Sequence, residues 1–145
     1  MRSRSLAALG TLALLAAANA FGQQRTTVDI PFEFTFANKV MPAGHYDVTS
    51  TSTLVLVRSY TSWASAFSLA NRVSGGNDGN TGSRLVFNKY GNRYFLAEVW
   101  ALPETGSGAA PLESKTERGV AHGSRDAARV TIPVRTGAVT LASLK

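Results

Sequence analysis

Residues 28–36 alternate without interruption between large apolar side chains and polar or proline residues, and this pattern constrains the fold most strongly. The apolar residues at every second position are Val28, Ile30, Phe32, Phe34 and Phe36. A period of two predicts a strand with one face buried. Because Pro31 has no amide hydrogen for a sheet ladder, we expect this strand to lie at an edge or to carry a bulge there.

Three further segments have the patterns of strands. Residues 46–49 follow the turn-forming residues 41–44, in which Pro42 and Gly44 suit the two kinds of backbone angle that a turn needs. Residues 54–57 form a short apolar run, as expected for a central strand covered on both faces. Residues 63–73 place large apolar side chains on one face and alanines mostly on the other, which favours a strand over a helix.

The second half of the chain begins with a predicted hairpin. Residues 85–87 and 94–102 are apolar segments on either side of Gly91-Asn92, a favourable two-residue hairpin turn. Before them, residues 74–83 contain almost only turn-forming and polar side chains and predict an exposed loop.

A second loop is predicted at residues 104–111, which are rich in Gly, Ala and Ser. Ser114 is followed three residues later by Glu117, the spacing of a capping box, so we expect a short helix over residues 115–121. Closing strands are expected over residues 128–144. The sequence therefore predicts an all-β, mainly antiparallel fold, a small sandwich or barrel, with one short helix near the C-terminal third.

The N-terminal residues have the three parts of a cleavable secretory signal. Arg2 and Arg4 precede an uncharged, Leu- and Ala-rich run at residues 6–18, and Ala18-Asn19-Ala20 is a small-x-small cleavage pattern. The run is shorter than the roughly 20 residues of a membrane-spanning helix, so no transmembrane anchor is expected after cleavage. We expect export to the periplasm or the exterior, cleavage near Ala20-Phe21, and a single domain over residues 21–145.

Charge and composition exclude several classes of function. Removal of Arg2 and Arg4 with the signal leaves 13 of the 15 basic residues against nine acidic ones, a net charge of +4. The basic residues are scattered singly, which argues against specific nucleic-acid binding. The chain has no cysteine, so it forms no disulfide and carries no lipid-modified cysteine.

Several segments resemble a group of small exported proteins of acidobacteria. They are residues 30–34 (IPFEF), 41–46 (MPAGHY), 85–91 (LVFNKYG), 94–96 (YFL) with Trp100, and 112–117 (LESKTE). The similarity covers most of residues 28–121, and the chain departs from it in Met41, where leucine is usual, and in a longer strand-forming tail. The resemblance implies an exported β-rich protein; it implies no reaction and no site residues.

Catalytic and metal-binding chemistry find little support in the sequence. The two histidines, His45 and His122, lie far apart, and the best pair of potential ligands is His45 with Asp47, two positions apart on one strand. Two ligands do not make a stable metal site. No Gly-x-Ser-x-Gly nucleophile elbow is present. We therefore expect no catalytic residues, no metal, no cofactor and no enzymatic activity.

The aromatic residues are the best candidates for contacting a ligand. Trp63, Tyr90, Tyr94 and Trp100 have flat amphipathic rings of the kind that stack on sugars or bases, although such residues more often pack within a sheet. We expect a non-catalytic exported β-domain, an envelope-associated binding or structural module whose partner is an envelope protein or a glycan. The alternatives are a small secreted hydrolase or carbohydrate-binding accessory, and a subunit of an envelope assembly that pairs through the edge at residues 28–36.

Overall fold

The computed structural model describes residues 24–75, 82–102, 106–124 and 126–134. The predicted signal peptide, most of the loop predicted at residues 74–83 and the last part of the predicted closing strands lie outside these residues. The described residues form a β-rich fold with one helix near the C-terminal third, which confirms the predicted fold class.

Ten strands and one helix make up the described part of the chain. In order they are β1 (Gln24–Ile30), β2 (Phe34–Phe36), β3 (Lys39–Met41), β4 (Gly44–Ser50), β5 (Leu54–Ser59), β6 (Ser65–Ser74), β7 (Arg84–Tyr90), β8 (Arg93–Leu102), β9 (Ser107–Pro111), α1 (Lys115–Gly123) and β10 (Ala128–Pro133). Almost all neighbouring strands are antiparallel; β2 and β8 form one short parallel contact at Thr35 and Phe95.

The first half of the sheet is an antiparallel ribbon in the order β1-β4-β5-β6. Its register places Val28 beside Tyr46 and Val48 beside Val57, and all four side chains are buried on the same face. The opposite face carries the charged side chains of the two strands, Arg25, Asp29, His45 and Asp47. In β1 and β4 the period of two therefore sets which face forms the core.

The second half is built on the β7–β8 hairpin, which confirms the predicted turn at Gly91-Asn92. Gly91 has φ of 60°, a conformation that glycine adopts without steric cost. β10 pairs with β7, while β9 and the β2–β3 hairpin lie along the other side of β8. β6 pairs with β9 and joins the two halves into one sheet.

The two halves share one core. The ring of Phe34 on β2 packs edge-on against Tyr46 of β4 at 5.2 Å and against Phe87 of β7 at 5.5 Å, so it contacts both halves. Among the described strands, β1, β3 and β10 each have a single neighbour, and the sheet is not closed into a barrel. Of the two predicted alternatives, sandwich and barrel, the barrel is therefore not found in the described strands.

The continuous strand predicted over residues 28–36 is wrong in one respect. β1 ends at Ile30 and β2 begins at Phe34, because the chain leaves β4 at Pro31 and crosses to β8. Pro31 cannot donate to a ladder, which suits the end of a strand. β1 is an edge strand of the described sheet, as the proline predicts.

The loop predicted at residues 104–111 is also partly wrong, because Ser107–Pro111 forms β9 between β6 and β8. Its small residues are needed there. A Cβ atom on Gly108 would lie 2.7 Å from Cδ2 of Trp100, far inside normal contact distance. The sequence of β9 resembles a loop because the neighbouring Trp100 ring leaves no room for large side chains at Gly108.

The helix is present and slightly longer than predicted, Lys115–Gly123 instead of residues 115–121. Ser114 caps it, accepting a hydrogen bond from the Glu117 amide at 3.1 Å. In a complete capping box the Glu117 carboxylate would also accept from the Ser114 amide. Here that carboxylate accepts from Asn88 on β7, and this contact holds the helix against the sheet.

Candidate functional site

The structure separates the four aromatic residues that the sequence singled out. Trp100 is buried, at 5 % exposure. Its Nε1 donates to Oε2 of Glu98 at 2.8 Å, and the guanidinium carbon of Arg84 lies 4.7 Å from the centre of the ring. Glu98 in turn pairs with Arg129 of β10 at 2.6 Å. These contacts make Trp100 part of the packing between β7, β8 and β10.

Tyr90 and Tyr94 are also packing residues, and they contact different rings. Tyr94 stacks on Phe32 with ring centres 3.8 Å apart, beside the core. Tyr90 packs edge-on against Phe95, and its hydroxyl donates to Glu117 at 3.5 Å. Because Tyr94 and Phe95 are consecutive on β8, the two tyrosines lie on opposite faces of the hairpin. No common stacking platform is formed.

Glu117 is the most perturbed acid of this region. Burial against the β7–β8 hairpin raises the pKa of its carboxyl, and the nearby negative charge of Glu113 raises it further. The hydrogen bonds from Asn88 and Tyr90 oppose this shift. The Tyr90 pKa is raised too, first by burial and then by the charges of Glu117 and Glu113. Both groups serve to attach the helix to the sheet.

His45 and Asp47 lie on the same outer face of β4, as their spacing predicts, but each has its own partner. His45 Nδ1 contacts Asp29 of β1 at 2.8 Å, and Asp47 Oδ2 pairs with Arg25 at 2.9 Å. The second oxygen of Asp47 is buried without a hydrogen-bond partner in the described structure. The two side chains therefore form separate contacts between β1 and β4. They do not join the four aromatic residues in one pocket.

The remaining aromatic, Trp63, has a very different environment. It lies in the connection between β5 and β6, residues 60–64, which we call the aromatic loop. Trp63 has a relative exposure of 104 %, and Tyr60 in the same loop has 63 %. An indole with no protein contact on either face is available to a ligand.

Hydroxyl groups hold the aromatic loop in a compact form. Ser59 Oγ accepts from the amides of Thr61 at 3.3 Å and Ser62 at 3.1 Å, and the Ser59 amide donates to the carbonyl of Ala64 at 2.8 Å. The Tyr60 amide donates to the carbonyl of His45 at 3.0 Å, which ties the loop to β4. These local bonds satisfy the backbone without burying the two aromatic rings.

A pocket of about 550 Å³ opens at this loop. Its lining combines the two aromatic side chains with hydroxyl groups and one cation; it is formed by residues 58–63 and Ser65. We call it the loop pocket. Aromatic faces with hydroxyl donors and a single positive charge suit a ligand that is partly apolar and partly polar or anionic.

A second cavity, of about 560 Å³, lies farther along β6, where that strand meets the start of α1. Its apolar lining is Ala37, Phe67 and Leu112, and its charged lining is Glu113, Lys115 and Arg118. We call it the groove. Asn38, in the turn between β2 and β3, accepts from the Thr116 amide at 3.2 Å and fixes one wall of the groove to the helix.

The exposed residues of β6 follow from its alternation. Phe67 and Leu69 point outward, at 67 % and 61 % exposure, whereas Ala66 and Ala70 face the core. The sequence predicts the two faces of this strand but not which of them is buried. The sequence analysis therefore missed Tyr60, Phe67, Leu69 and Leu112 as exposed apolar residues. Of the four predicted aromatic contact residues, only Trp63 belongs to this exposed group.

No three His, Asp or Glu side chains within the described ranges lie close enough together to hold a metal ion. No helix of this part of the chain is both long and apolar enough to cross a membrane.

Comparisons with known proteins add no relative. No protein-family model, curated protein or solved structure matches the chain. The resemblance to exported acidobacterial proteins stays a prediction.

Proposed function

We propose that the chain is an exported, non-catalytic β-domain that acts as a binding module of the cell envelope and contacts its ligand through the aromatic loop. The observation that carries this proposal is the complete exposure of Trp63 beside the loop pocket. A fully hydrated indole has a large apolar area to bury, so a ligand that covers it gains free energy of binding.

Export is supported by the sequence at residues 1–20, which combines a basic start, an apolar run and a small-x-small cleavage pattern. Expression in a bacterial host followed by mass spectrometry of the purified protein tests it. We expect a chain that begins at Phe21. Recovery of the uncleaved chain from the cytoplasm would contradict export.

A binding role is favoured over a catalytic one because the titratable side chains serve structural contacts. Asp29, Asp47, Glu98 and Glu117 each contact a neighbouring strand or helix. The exposed surface of the loop pocket instead offers hydroxyl groups and one arginine, Arg58. These groups can bind and orient a ligand, and they include no acid or base beside a nucleophile.

Thermal unfolding in the presence of candidate ligands tests the binding role. A ligand at 100 times its dissociation constant stabilises a protein by about 2.7 kcal/mol. We expect a rise in melting temperature with one class of a panel of glycans, anionic amphiphiles and small acids, and its loss in Trp63→Ala. A glycan response that depends on Trp63 would select the carbohydrate-binding alternative. An unchanged response in Trp63→Ala would contradict a role for the aromatic loop.

A subunit of an envelope assembly is a second candidate, favoured by the open edge of β1. Among the described strands β1 pairs only with β4, so its other edge has backbone groups available for a further strand. Sedimentation velocity at increasing concentration tests this candidate. Association that is blocked by proline substitution at Thr27 would support it, and a monomer at all concentrations would contradict self-assembly.

A further inference from the structure

The large apolar side chains that are exposed in the described structure lie around one strand. They are Val40, Tyr60, Trp63, Phe67, Leu69 and Leu112. The Leu112 amide donates to the Leu69 carbonyl at 2.9 Å, which places Leu112 beside β6. Lys39, next to Val40, reaches the carbonyl of Ser65 at 3.2 Å. An apolar surface concentrated in this way marks an interaction site more clearly than single exposed residues do.

The loop pocket and the groove form one continuous surface. The loop pocket ends at Ser65, and the groove begins at Phe67, the next residue on the same face of β6. We define the β6 patch as Tyr60, Trp63, Phe67, Leu69 and Leu112.

The charges around the β6 patch are mainly positive. Arg58 lines the loop pocket, Lys115 and Arg118 line the groove, and Lys39 lies at Ser65. Glu113 is the single acid that lines either cavity. On the same face of the sheet, Asp47 lies opposite Arg58 in the β4–β5 register and pairs with Arg25, while Asp29 contacts His45. The rim of the patch therefore attracts an anionic partner.

We propose that the β6 patch docks on an anionic lipid surface, with its aromatic side chains in the headgroup region and its cations against lipid phosphates. The proposal rests on the binding role proposed above and names the partner. Trp and Tyr favour the membrane–water interface because their rings are apolar and carry one polar atom. Apolar burial and nearby cations together supply stable, reversible binding to anionic lipid, which neither supplies well alone.

Charge also distinguishes lipid from a second copy of this chain. A two-fold dimer formed through the patch would bring two positively charged rims together. Like charges across an interface weaken association, whereas lipid phosphates neutralise them. The cations thus favour an anionic surface over self-association.

Vesicle flotation tests the proposal, using the untruncated protein in the form that the expressing cells produce after processing. We expect binding to vesicles of phosphatidylglycerol and phosphatidylcholine, weaker binding in high salt, and little binding to phosphatidylcholine alone. The intrinsic fluorescence gives a second readout. Because Trp100 is buried and Trp63 is exposed, a blue shift on binding reports the transfer of Trp63 out of water.

Variants identify the surface that binds. We expect Trp63→Ala to weaken vesicle binding at least about tenfold, since burial of a large apolar side chain accounts for that factor. Lys115→Ala and Arg118→Ala should each weaken it about fivefold. Arg93→Ala is the matched control, because Arg93 is an exposed cation at the start of β8 that lines neither cavity. These side chains are exposed, so the variants should keep the wild-type circular dichroism spectrum.

The outcomes separate this proposal from the binding role on which it rests. No preference for anionic vesicles, or equal losses in Arg93→Ala and Lys115→Ala, would overturn lipid docking. If a glycan or an envelope protein binds with the same dependence on Trp63, the binding role stands and the lipid partner is wrong. If Trp63→Ala changes neither vesicle binding nor any ligand response, both proposals fail. A dimer that is lost in Phe67→Ser would replace the lipid surface by a second copy of the chain.

Discussion

Gly108 lies against the indole ring of Trp100, and replacing it with alanine should destabilise the fold. A Cβ atom at this position would be 2.7 Å from Cδ2 and 2.9 Å from Cε3 of the ring. Optimal contacts between carbon atoms are about 3.5–4.0 Å. The ring would have to move by about 1 Å, or the backbone of β9 would have to separate from β8.

Either movement costs free energy, because Trp100 also contacts Glu98 and Arg84. Overpacking of a well-packed site costs about 1–3 kcal/mol. Weakening the charged hydrogen bond to Glu98 would add to that cost. Gly108 does not have a positive φ, so alanine also restricts the unfolded chain and returns about 0.4–1 kcal/mol. We expect a net loss of about 2 kcal/mol in the free energy of unfolding.

Urea unfolding followed by circular dichroism measures this loss, with Gly119→Ala as the matched control. Gly119 lies within α1, and a Cβ there would meet no atom within 4 Å. Alanine at a helical position stabilises by up to about 1 kcal/mol relative to glycine. The same substitution should therefore lower the urea midpoint at Gly108 and raise it at Gly119. A Gly108→Ala midpoint equal to or above the wild-type value would refute the close approach of β9 to Trp100.

Three further predictions concern stability. Because burial raises the Glu117 pKa, this carboxyl stays protonated in the native state at pH values at which it has ionised in the unfolded chain. The resulting stabilisation is complete below the pH range in which glutamate ordinarily titrates, and it is lost as pH rises through the raised pKa. Urea midpoints of Glu117→Gln should lack this fall, and an unchanged pH profile would contradict it. Ala37→Gly should change the melting temperature little, since relief of about 1–2 kcal/mol of strain at φ of 50° is offset by about 0.4–1 kcal/mol from a more flexible unfolded chain and by the lost packing of the Ala37 methyl on the core; a loss of about 2 kcal/mol or more would argue against that turn. Trp100→Ala should cost about 3–5 kcal/mol and Trp63→Ala less than about 0.5 kcal/mol; similar losses in the two urea titrations would contradict their different burial.

The sequence predicts the strands best where one face is buried and the other is polar. The alternation in β1 and the Gly91-Asn92 turn are local signals, and both led to correct elements. The β2–β3 hairpin was missed because its turn, Ala37-Asn38, has positive φ at both residues, and alanine is not a residue that predicts this conformation. β9 was missed because contact with Trp100 selects small residues that resemble a loop.

The candidate site was harder to predict, because exposure depends on how strands pack. Trp63, Phe67 and Leu69 alternate as core residues do, yet the small side chains of β6 face the core. Tyr90, Tyr94 and Trp100 have the same chemical character as Trp63 and are packed between elements that lie far apart in sequence. Residue type identified candidates for ligand contact, and only the tertiary structure separated exposed from buried rings.

The proposed binding role is tested most directly by the location of the protein in fractionated cells, comparing wild type with Trp63→Ala. Because Trp63 makes no stabilising contact, the variant should be exported, folded and processed like the wild type. We expect the wild-type protein to sediment with the envelope fraction and Trp63→Ala to be released into the soluble fraction. Equal distribution of the two proteins would contradict binding through the aromatic loop.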